Sequence, residues 1–217
     1  MITTLSPTIS IIMAVYNTEF VLVQRAIESL FRQDFEDYEL LIMNDGSRDE
    51  LNVPLKKYIE QFPDKIKYFY HENSGFPKTL NSGIENSIGK YISFLDSDDE
   101  YKSNHLSVCI EQMKTFDLIA STTETVVDTA DDYYVPDRFD SHKNIHVDDC
   151  IITGSLFGKS EVFKKLLFKD IYSQDFDFFE RAKENYSVAK LNLKTYIYYR
   201  NRQESICNLL KKKNSGN

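Results

Sequence analysis

The 217-residue sequence contains no tryptophan, only seven glycines and five prolines, and three widely spaced cysteines. The scarcity of glycine and proline excludes fibrous and low-complexity structure. The cysteines, Cys109, Cys150 and Cys207, are odd in number and far apart, a pattern that predicts neither a disulfide framework nor a zinc site. A reducing cytoplasm is the simplest compartment for such a chain.

Long hydrophobic runs and excess positive charge are also missing. No apolar run approaches the roughly 20 residues that cross a bilayer, and the N-terminal MITTLSPTIS lacks the features of a signal peptide. The formal net charge of −8 argues against a nucleic-acid partner. We therefore expect a cytoplasmic protein. The basic end LLKKKNSGN is either a solvated terminus or a weak attachment to anionic lipid, peripheral at the inner face of the membrane.

Phosphate-binding loops of the common nucleotide-binding folds are absent as well. The sequence has no G-x-G-x-x-G after its first apolar segment and no G-x-x-x-x-G-K-[ST] anywhere, which argues against a nicotinamide enzyme or a P-loop NTPase. His142 and His146 have a spacing of four but lie in an irregular segment, so they do not indicate a metal site. If the chain binds a diphosphate, we therefore expect it to do so through a metal and basic side chains.

The first part of the chain alternates β-rich apolar segments with helical patterns. Strands are predicted at 8–16, 38–45, 66–71, 91–95 and 117–127, and helices at 19–33, 48–61, 78–89 and 104–115. Pro54 is expected to lie near the start of the second helix or to interrupt it. This order predicts one compact α/β domain, Rossmann-like, with a mostly parallel sheet and helices on both faces.

The second part of the chain lacks this regular alternation. Residues 128–149 are acidic and irregular, and we interpret them as a loop over the site. An apolar strand at 150–158, helices near 160–167 and 175–185, and a last strand at 189–200 follow. We expect residues 1–127 and 128–206 to be two halves of one domain, with 207–217 as a basic tail.

Polar residues are concentrated where the predicted strands end. Parallel sheets bind ligands beyond the carboxyl ends of their strands, so these positions are the candidate site. The polar segments are Tyr16-Asn17, Asn44-Asp45-Gly46-Ser47, His71-Glu72-Asn73 and Asp96-Ser97-Asp98-Asp99.

The segment DSDD, residues 96–99, places several acids directly after an apolar strand. Asp96 and Asp98 lie on the same side of an extended chain, and their oxygen ligands suit Mg²⁺ or Mn²⁺ carrying a diphosphate. The alternative is an acidic helix N-terminus, since a predicted helix follows. Asp45 is likewise either the acceptor for a base or ribose donor or part of a plain NDGS turn, and Tyr16 either stacks on a ligand or belongs to the rim.

In order along the chain, these segments resemble the family-two glycosyltransferases of the GT-A fold, mostly bacterial enzymes of the polysaccharide type. The resemblance covers nearly the whole chain. It is carried by SIIMAVYN (10–17), AIESLFRQ (26–33), ELLIMNDGSRD (39–49), ENSGFPKTLNSGIENSIGKYISFLDSDD (72–99), ITGSLFGKSEVF (152–163), SQDFDFFERA (173–182) and YYRNRQESI (198–206).

The resemblance implies a nucleotide-binding set. Val15 and Tyr16 are expected to line the base, Asp45 to accept a hydrogen bond from a uracil ring, and Lys78 to lie in the segment that approaches the nucleotide. Ser97, between the two acids of the D-x-D motif, belongs to the same nucleotide-sugar-binding set.

The resemblance also implies the reacting groups. Asp96 is expected near the ribose and the waters of the metal, and Asp98 is expected to ligate Mn²⁺ or Mg²⁺. Asp175 corresponds to the catalytic base of the family, although an aspartate there also suits a simple helix cap. Arg202 corresponds to a residue that contacts the donor diphosphate.

Three positions depart from the family pattern. The second motif has Asn44 where many members have an acid, the base motif has Gln174 before Asp175 where many have glutamate, and Leu80 stands where many have arginine. These departures concern the identity of the donor more than the activity.

The implied activity is the transfer of a sugar from a nucleotide donor, a UDP-sugar, to a hydroxyl of a glycan or lipid-linked saccharide with inversion. Two alternatives stay open. A sugar-1-phosphate nucleotidyltransferase would carry a glycine-rich basic loop after the first strand, where this sequence has VYNTEF. A non-catalytic saccharide- or nucleotide-sugar-binding protein would not need Asp98, Asp175 and Arg202 together.

Overall fold

The computed structural model describes residues 6–140 and 143–201, in which a mixed sheet lies between two layers of helices. Its strands are β1 Ile9–Val15, β2 Tyr38–Asp45, β3 Ile66–His71, β4 Tyr91–Phe94, β5 Glu100–Tyr101, β6 Leu118–Val126, β7 Tyr134–Pro136, β8 Asn144–His146, β9 Leu156–Lys159 and β10 Val188–Tyr199. Its helices are α1 Phe20–Phe31, α2 Asp49–Ile59, α3 Phe76–Asn86, α4 His105–Gln112, α5 Ser160–Leu166 and α6 Gln174–Lys183.

The central strands are apolar on both faces because helices cover both faces. In β1, Ile11 and Met13 belong to a core with apolar residues of α1, α2 and α4, whereas Ile12 belongs to a second core with residues of α3, α5 and α6. Successive side chains of a strand point to opposite faces, so one continuous apolar segment serves both cores. The predicted α/β architecture with helices on both faces is confirmed.

The main sheet has the order β3-β2-β1-β4-β9-β6-β10-β5. Strands β3, β2, β1 and β4 are mutually parallel, and β6 and β10 form a second parallel pair. Strand β9 joins the two groups and runs antiparallel to both β4 and β6, and β5 runs antiparallel to β10. The predicted sheet, mostly parallel, is therefore confirmed, with two reversed strands.

The predicted strand at 150–158 is wrong in its extent. Thr153–Ser155 form a 3₁₀ turn, and strand β9 begins only at Leu156. Gly154 explains the turn, because a Cβ at this position would lie 2.1 Å from the hydroxyl oxygen of Tyr196. The backbone here approaches β10 more closely than any larger residue permits.

Two further expectations are modified by the structure. Helix α2 continues through Pro54, which neither begins nor interrupts it. The segment 128–149, predicted as an irregular loop, contains a short hairpin in which β7 pairs with β8, flanked by 3₁₀ turns at Ala130–Tyr133 and Val147–Asp149.

Across the ranges 6–140 and 143–201, no helix is long and apolar enough to cross a membrane.

Candidate functional site

The carboxyl ends of β1, β2 and β4 are neighbours in the sheet, so the loops that follow these strands meet at one edge. Val15, at the end of β1, is buried, while the next residue, Tyr16, is 54% exposed and presents its ring to solvent. Asn17 adopts a left-handed backbone with φ of 52°. Its N–H donates to Ser47 Oγ over 3.0 Å, and its side-chain oxygen accepts from the Arg48 N–H over 2.9 Å.

Asp45, the last residue of β2, is buried and anchors the segment that leads into α3. Its Oδ1 accepts the N–H of Ser74 over 2.7 Å, and its Oδ2 accepts the N–H of Gly75 over 3.1 Å. His71 Nδ1 lies 3.4 Å from the same Oδ1. The Ser74 hydroxyl also lies 3.5 Å from Oδ1, so it is Oδ2, with one donor, that retains capacity for a further donor such as a ring N–H.

Lys78 lies in the first turn of α3 and is exposed. The bonds from Asp45 to Ser74 and Gly75 fix the start of this helix at the end of β2. Lys78 is thereby held on the same side of the sheet as Asp45. Leu80, one of the three positions that depart from the expected family pattern, is buried in the core beneath α3.

Asp96 follows β4 and has an unusual electrostatic environment. Its N–H donates to the Tyr196 hydroxyl over 3.2 Å, and that hydroxyl lies 3.3 Å from Asp96 Oδ2. Burial raises the pKa of Asp96 to about 7, assisted by the charges of Asp98 and Asp175. The structure therefore brings the acidic loop after β4 and the more distant Asp175 into one electrostatic field.

The other residues of this loop are held from two directions. The hydroxyl of Ser97 bonds that of Thr18 over 2.7 Å, which links the loop to the end of β1. The carbonyl oxygen of Asp98 accepts from the Arg25 guanidinium over 2.5 Å. Asp99 is buried and accepts from the Tyr196 hydroxyl over 2.7 Å and from the Tyr199 N–H over 2.8 Å.

Asp175 is the second residue of α6 and accepts the N–H of Phe176 over 2.9 Å. Burial raises the pKa of its carboxyl, and backbone N–H groups, among them that of Thr153, partly oppose the rise. Strand β9 runs antiparallel to β4, so it begins beside the carboxyl end of β4. The 3₁₀ turn that precedes β9 therefore lies at the edge of the sheet where Asp175 is found. A partly buried carboxyl with a raised pKa suits a general base.

Asp177, two residues further along α6, has a different environment. Its carboxylate lies 2.7 Å from Arg181 Nε and 3.5 Å from Lys169 Nζ. Burial raises its pKa, but the two cations outweigh this effect, so that the pKa is lowered overall. Arg181 also donates to the carbonyl oxygens of Leu166 and Leu167 at the end of α5. Asp177 therefore holds α5 and α6 together.

A divalent metal would take few of its ligands from the described residues. Within 6–140 and 143–201, no three His, Cys, Asp or Glu side chains converge on one point. Asp96 and Asp98 nevertheless repel each other in a partly buried loop, and a cation would relieve that repulsion. The residues thus fit a metal that is completed by oxygens of a bound diphosphate and by water.

Several residues of the site could not be recognised in the sequence. Tyr196, Tyr199 and Arg25 contact the acidic loop, yet Tyr196 and Arg25 belong to no motif, and the motif YYRNRQESI does not indicate a contact of Tyr199 with the loop. A tyrosine near the end of an apolar strand usually indicates core packing, and only the fold shows that Tyr196 meets Asp99. Arg202 and His142 lie outside the described residues.

This sheet, with an acidic loop after β4 and an aspartate on a late helix at the same edge, defines a protein of the GT-A fold. The chain belongs to glycosyl transferase family 2, whose family model matches residues 10–186. The expected family is therefore confirmed.

Sequence and structure comparisons agree with this assignment. The chain is 31% identical over 214 residues to an uncharacterized glycosyltransferase of Rickettsia prowazekii, covering 89% of this chain and 65% of the relative. TarS of S. aureus in complex with UDP-GlcNAc superposes with a TM-score of 0.71 at 20% identity, over 93% of this chain and 60% of that one. A mannosyltransferase of Pyrobaculum calidifontis in complex with GDP-Man and Mn²⁺ gives 0.69 at 15% identity, over 89% and 57%. The chain thus spans less than two thirds of these proteins.

Proposed function

We propose that this protein transfers a sugar from a UDP-sugar to a saccharide hydroxyl, on a glycan or a lipid-linked saccharide, with inversion at the anomeric carbon. The observation that carries the proposal is that Asp175 lies close enough to the loop 96–99 for its charge to contribute to the raised pKa of Asp96. A nucleotide-binding loop and a partly buried candidate base at one sheet edge are the two parts that such a transfer needs.

In this proposal, the donor nucleotide lies across the ends of β1 and β2. Tyr16 provides an exposed ring beside the base, and Asp45 accepts a ring N–H with its remaining acceptor positions. Lys78 approaches the phosphates, and Arg202 is the second residue proposed to contact the diphosphate. The complexes of the two structural neighbours with UDP-GlcNAc and with GDP-Man and Mn²⁺ support a nucleotide-sugar donor and a divalent ion.

Asp98 is the proposed protein ligand of Mn²⁺ or Mg²⁺, with Asp96 near its waters. When bound, the ion offsets the charge of the donor diphosphate and of the leaving nucleotide. Asp175 accepts the proton of the acceptor hydroxyl, whose oxygen attacks C1 of the sugar from the side opposite the diphosphate. The C1–O bond to the diphosphate breaks, and one attack from the opposite side inverts the configuration.

A thermal-shift screen of nucleotide sugars, with Mn²⁺ and with EDTA, tests the donor class. A ligand that binds the native state raises its stability by RT ln(1 + [L]/Kd), so a UDP-sugar with Mn²⁺ is expected to raise Tm most. With a saccharide acceptor, release of UDP and the anomeric proton coupling of the product by NMR test transfer and inversion. Binding without UDP release would favour a non-catalytic sugar-nucleotide-binding protein.

Asp98→Ala is the decisive variant for the metal. It removes the proposed ligand and relieves repulsion in the loop, so the fold is expected to persist while metal-dependent UDP binding is lost. Isothermal titration with UDP, in Mn²⁺ and in EDTA, measures this effect. Equal UDP affinity of the variant in both buffers, at the level of the wild-type protein in Mn²⁺, would remove Asp98 from the metal site.

A further inference from the structure

The acids that follow β4 differ in what their carboxylates contact. Asp99 is only 1% exposed, and both of its oxygens are used within the protein. Its Oδ2 accepts from the hydroxyl of Tyr196 over 2.7 Å, and its Oδ1 accepts from the backbone N–H of Tyr199 over 2.8 Å. Both donors belong to β10, which lies about 100 residues further along the chain. Asp99 thus joins the acidic loop to the end of the last strand.

Tyr196 is held so firmly that its hydroxyl defines the position of Asp99. The ring is fully buried, packs edge-on against Tyr101 at 5.7 Å between centroids, and faces Gly154 with no room for an added Cβ. The same hydroxyl accepts the N–H of Asp96 over 3.2 Å. One buried hydroxyl oxygen therefore contacts both the backbone at the start of the loop and the carboxylate at its end.

Tyr199 makes a second connection at the same place. Its hydroxyl donates to Glu100 over 2.7 Å, and the guanidinium of Arg25 stacks on its ring at 3.8 Å. Arg25 also donates to the carbonyl oxygen of Asp98 and pairs with Glu100 over 3.2 Å. The backbone that carries Asp98 is therefore held between α1 and β10. Three residues after Tyr199 in the sequence comes Arg202.

We propose that Asp99 is a positioning residue and not a metal ligand: its carboxyl group ties the loop that carries Asp98 to the end of β10. Through this tie, the loop that carries the proposed metal ligand keeps a fixed position relative to the end of β10. The inference rests on the proposed function in so far as the loop serves a metal and a diphosphate. The tie itself depends only on the contacts of Asp99 with Tyr196 and Tyr199.

Two substitutions distinguish a tie from a ligand. An amide in Asp99→Asn has the shape of the carboxyl group, can accept the Tyr199 N–H and can donate to the Tyr196 hydroxyl. Asp99→Leu has a similar volume and makes neither bond. If Asp99 acts through these two hydrogen bonds, its function is retained in Asp99→Asn and lost in Asp99→Leu. If Asp99 is instead a metal ligand, metal binding is weakened in both variants. Tyr196→Phe removes one of the two bonds and keeps the ring, which provides a second test if Asp99→Leu fails to fold.

The first readout is binding of UDP in Mn²⁺ and of uridine, by isothermal titration. Asp99→Asn is expected to bind UDP within about threefold of the wild-type protein, whereas Asp99→Leu and Tyr196→Phe lose about tenfold or more. Uridine carries no phosphate, so its affinity is expected to stay unchanged in all three variants. If Asp99→Asn loses Mn²⁺-dependent binding as Asp98→Ala does, Asp99 is a ligand and the proposal is wrong. General misfolding would instead weaken uridine binding in parallel.

The second readout needs no nucleotide. Hydrogen exchange at the Tyr199 amide is expected to be slow in the wild-type protein and in Asp99→Asn, and clearly faster in Asp99→Leu. A Tyr199 amide that stays equally protected in Asp99→Leu would overturn the tie. A wild-type protein that fails to bind UDP, but shows this pattern of exchange, would reject the proposed function and retain the tie.

Discussion

Two aspartates of α6, only two residues apart, show how the environment assigns different roles to the same residue type. Asp175 is desolvated at the site edge, and burial raises the pKa of its carboxyl. Asp177 lies against Arg181 and Lys169, which hold its pKa below the usual range despite partial burial. A base needs a carboxylate whose proton affinity is raised and which no cation occupies. Of the two, only Asp175 meets this requirement.

Asp175→Asn and Asp177→Asn form a matched pair for testing this difference. Asp175→Asn keeps the size of the side chain and removes the base, so transfer is expected to fall by roughly 10²–10⁴-fold with UDP binding unchanged. Asp177→Asn is expected to keep transfer and to lose about 1 kcal/mol of unfolding free energy, because its bond to Arg181 weakens. Initial rates of UDP release and urea unfolding measure the two effects. Near-normal turnover in Asp175→Asn would place the base elsewhere.

Asp45 makes a second prediction at this scale. A buried acceptor favours a base with a ring N–H, so UDP is expected to bind more tightly than CDP. The cytosine ring of CDP has no N–H that could donate to Asp45. Titrations of both nucleotides in one Mn²⁺ buffer measure the preference. Asp45 also accepts from Ser74 and Gly75, so Asp45→Asn is expected to lower Tm as well as UDP affinity. Tighter binding of CDP to the wild-type protein would contradict the assignment.

At the scale of elements, the sequence predicts segments well when their pattern is local. The bounds of β2 and β3 agree with the prediction, because each is an apolar segment ended by polar residues. The predicted strand at 150–158 begins too early, since CIITGSLFG carries no charge and its close packing against Tyr196 at 153–155 is not visible in the sequence. The reversed direction of β9 is likewise invisible, because no short motif encodes which neighbour a strand meets.

The candidate site shows the same contrast between local sequence patterns and contacts that depend on the fold. Asp45, Asp96 and Asp98 can be proposed from the sequence because Asp45 ends one predicted strand and the other two closely follow another. The proximity of Asp175 to this loop is a property of the fold, since it depends on the turn before β9 reaching the start of α6. The contacts of Asp99 with β10 also depend on long-range pairing, so the sequence shows a cluster of acids without separating the buried one from the others.

Gly154 is where the turn before β9 is most sensitive to substitution. In Gly154→Ala, the added Cβ would meet the ring and hydroxyl of Tyr196 at 2.1–2.5 Å, so the turn or the tyrosine must move. Such overpacking costs roughly 1–3 kcal/mol, and the displaced hydroxyl would no longer hold Asp96 and Asp99. Denaturant unfolding is expected to show this loss together with weaker UDP binding in Mn²⁺. Unchanged stability with normal UDP binding would contradict the close packing described here.

At the scale of the whole molecule, stability depends on a histidine that is sealed between α4 and β10. His105 Nδ1 lies 2.8 Å from Thr195 Oγ1, and the ring stacks on Tyr101 at 3.8 Å. Cys109 and Tyr196 complete its surroundings. Burial lowers the pKa of His105 from 6.5 to about 3. The folded protein therefore keeps this imidazole neutral where the unfolded chain would protonate it.

This difference predicts destabilisation by acid. Between about pH 6.5 and pH 3 the unfolded chain binds one more proton at His105, so the contribution of His105 to the unfolding free energy falls as the pH falls. The loss approaches about 1.4 kcal/mol per pH unit. Urea unfolding of the wild-type protein and of His105→Gln, compared from pH 7 to pH 4.5, isolates the effect. The stability of the wild-type protein relative to His105→Gln is expected to decrease towards low pH, and a constant difference would contradict the buried neutral imidazole.

The position of β9 between the two parallel groups also governs the order in which a growing chain can assemble. Strand β6 lies in the sheet between β9 and β10, and both follow it in the sequence. At ribosomal rates, the 30 residues from Val126 to Leu156 take roughly 1.5–6 s to synthesise. During that interval β1 to β4 can pair among themselves, while β6 has neither neighbour. A chain released after about residue 127 would therefore leave β6 without both of its neighbours in the sheet, and the half that carries the DSDD loop cannot mature before β10 has emerged.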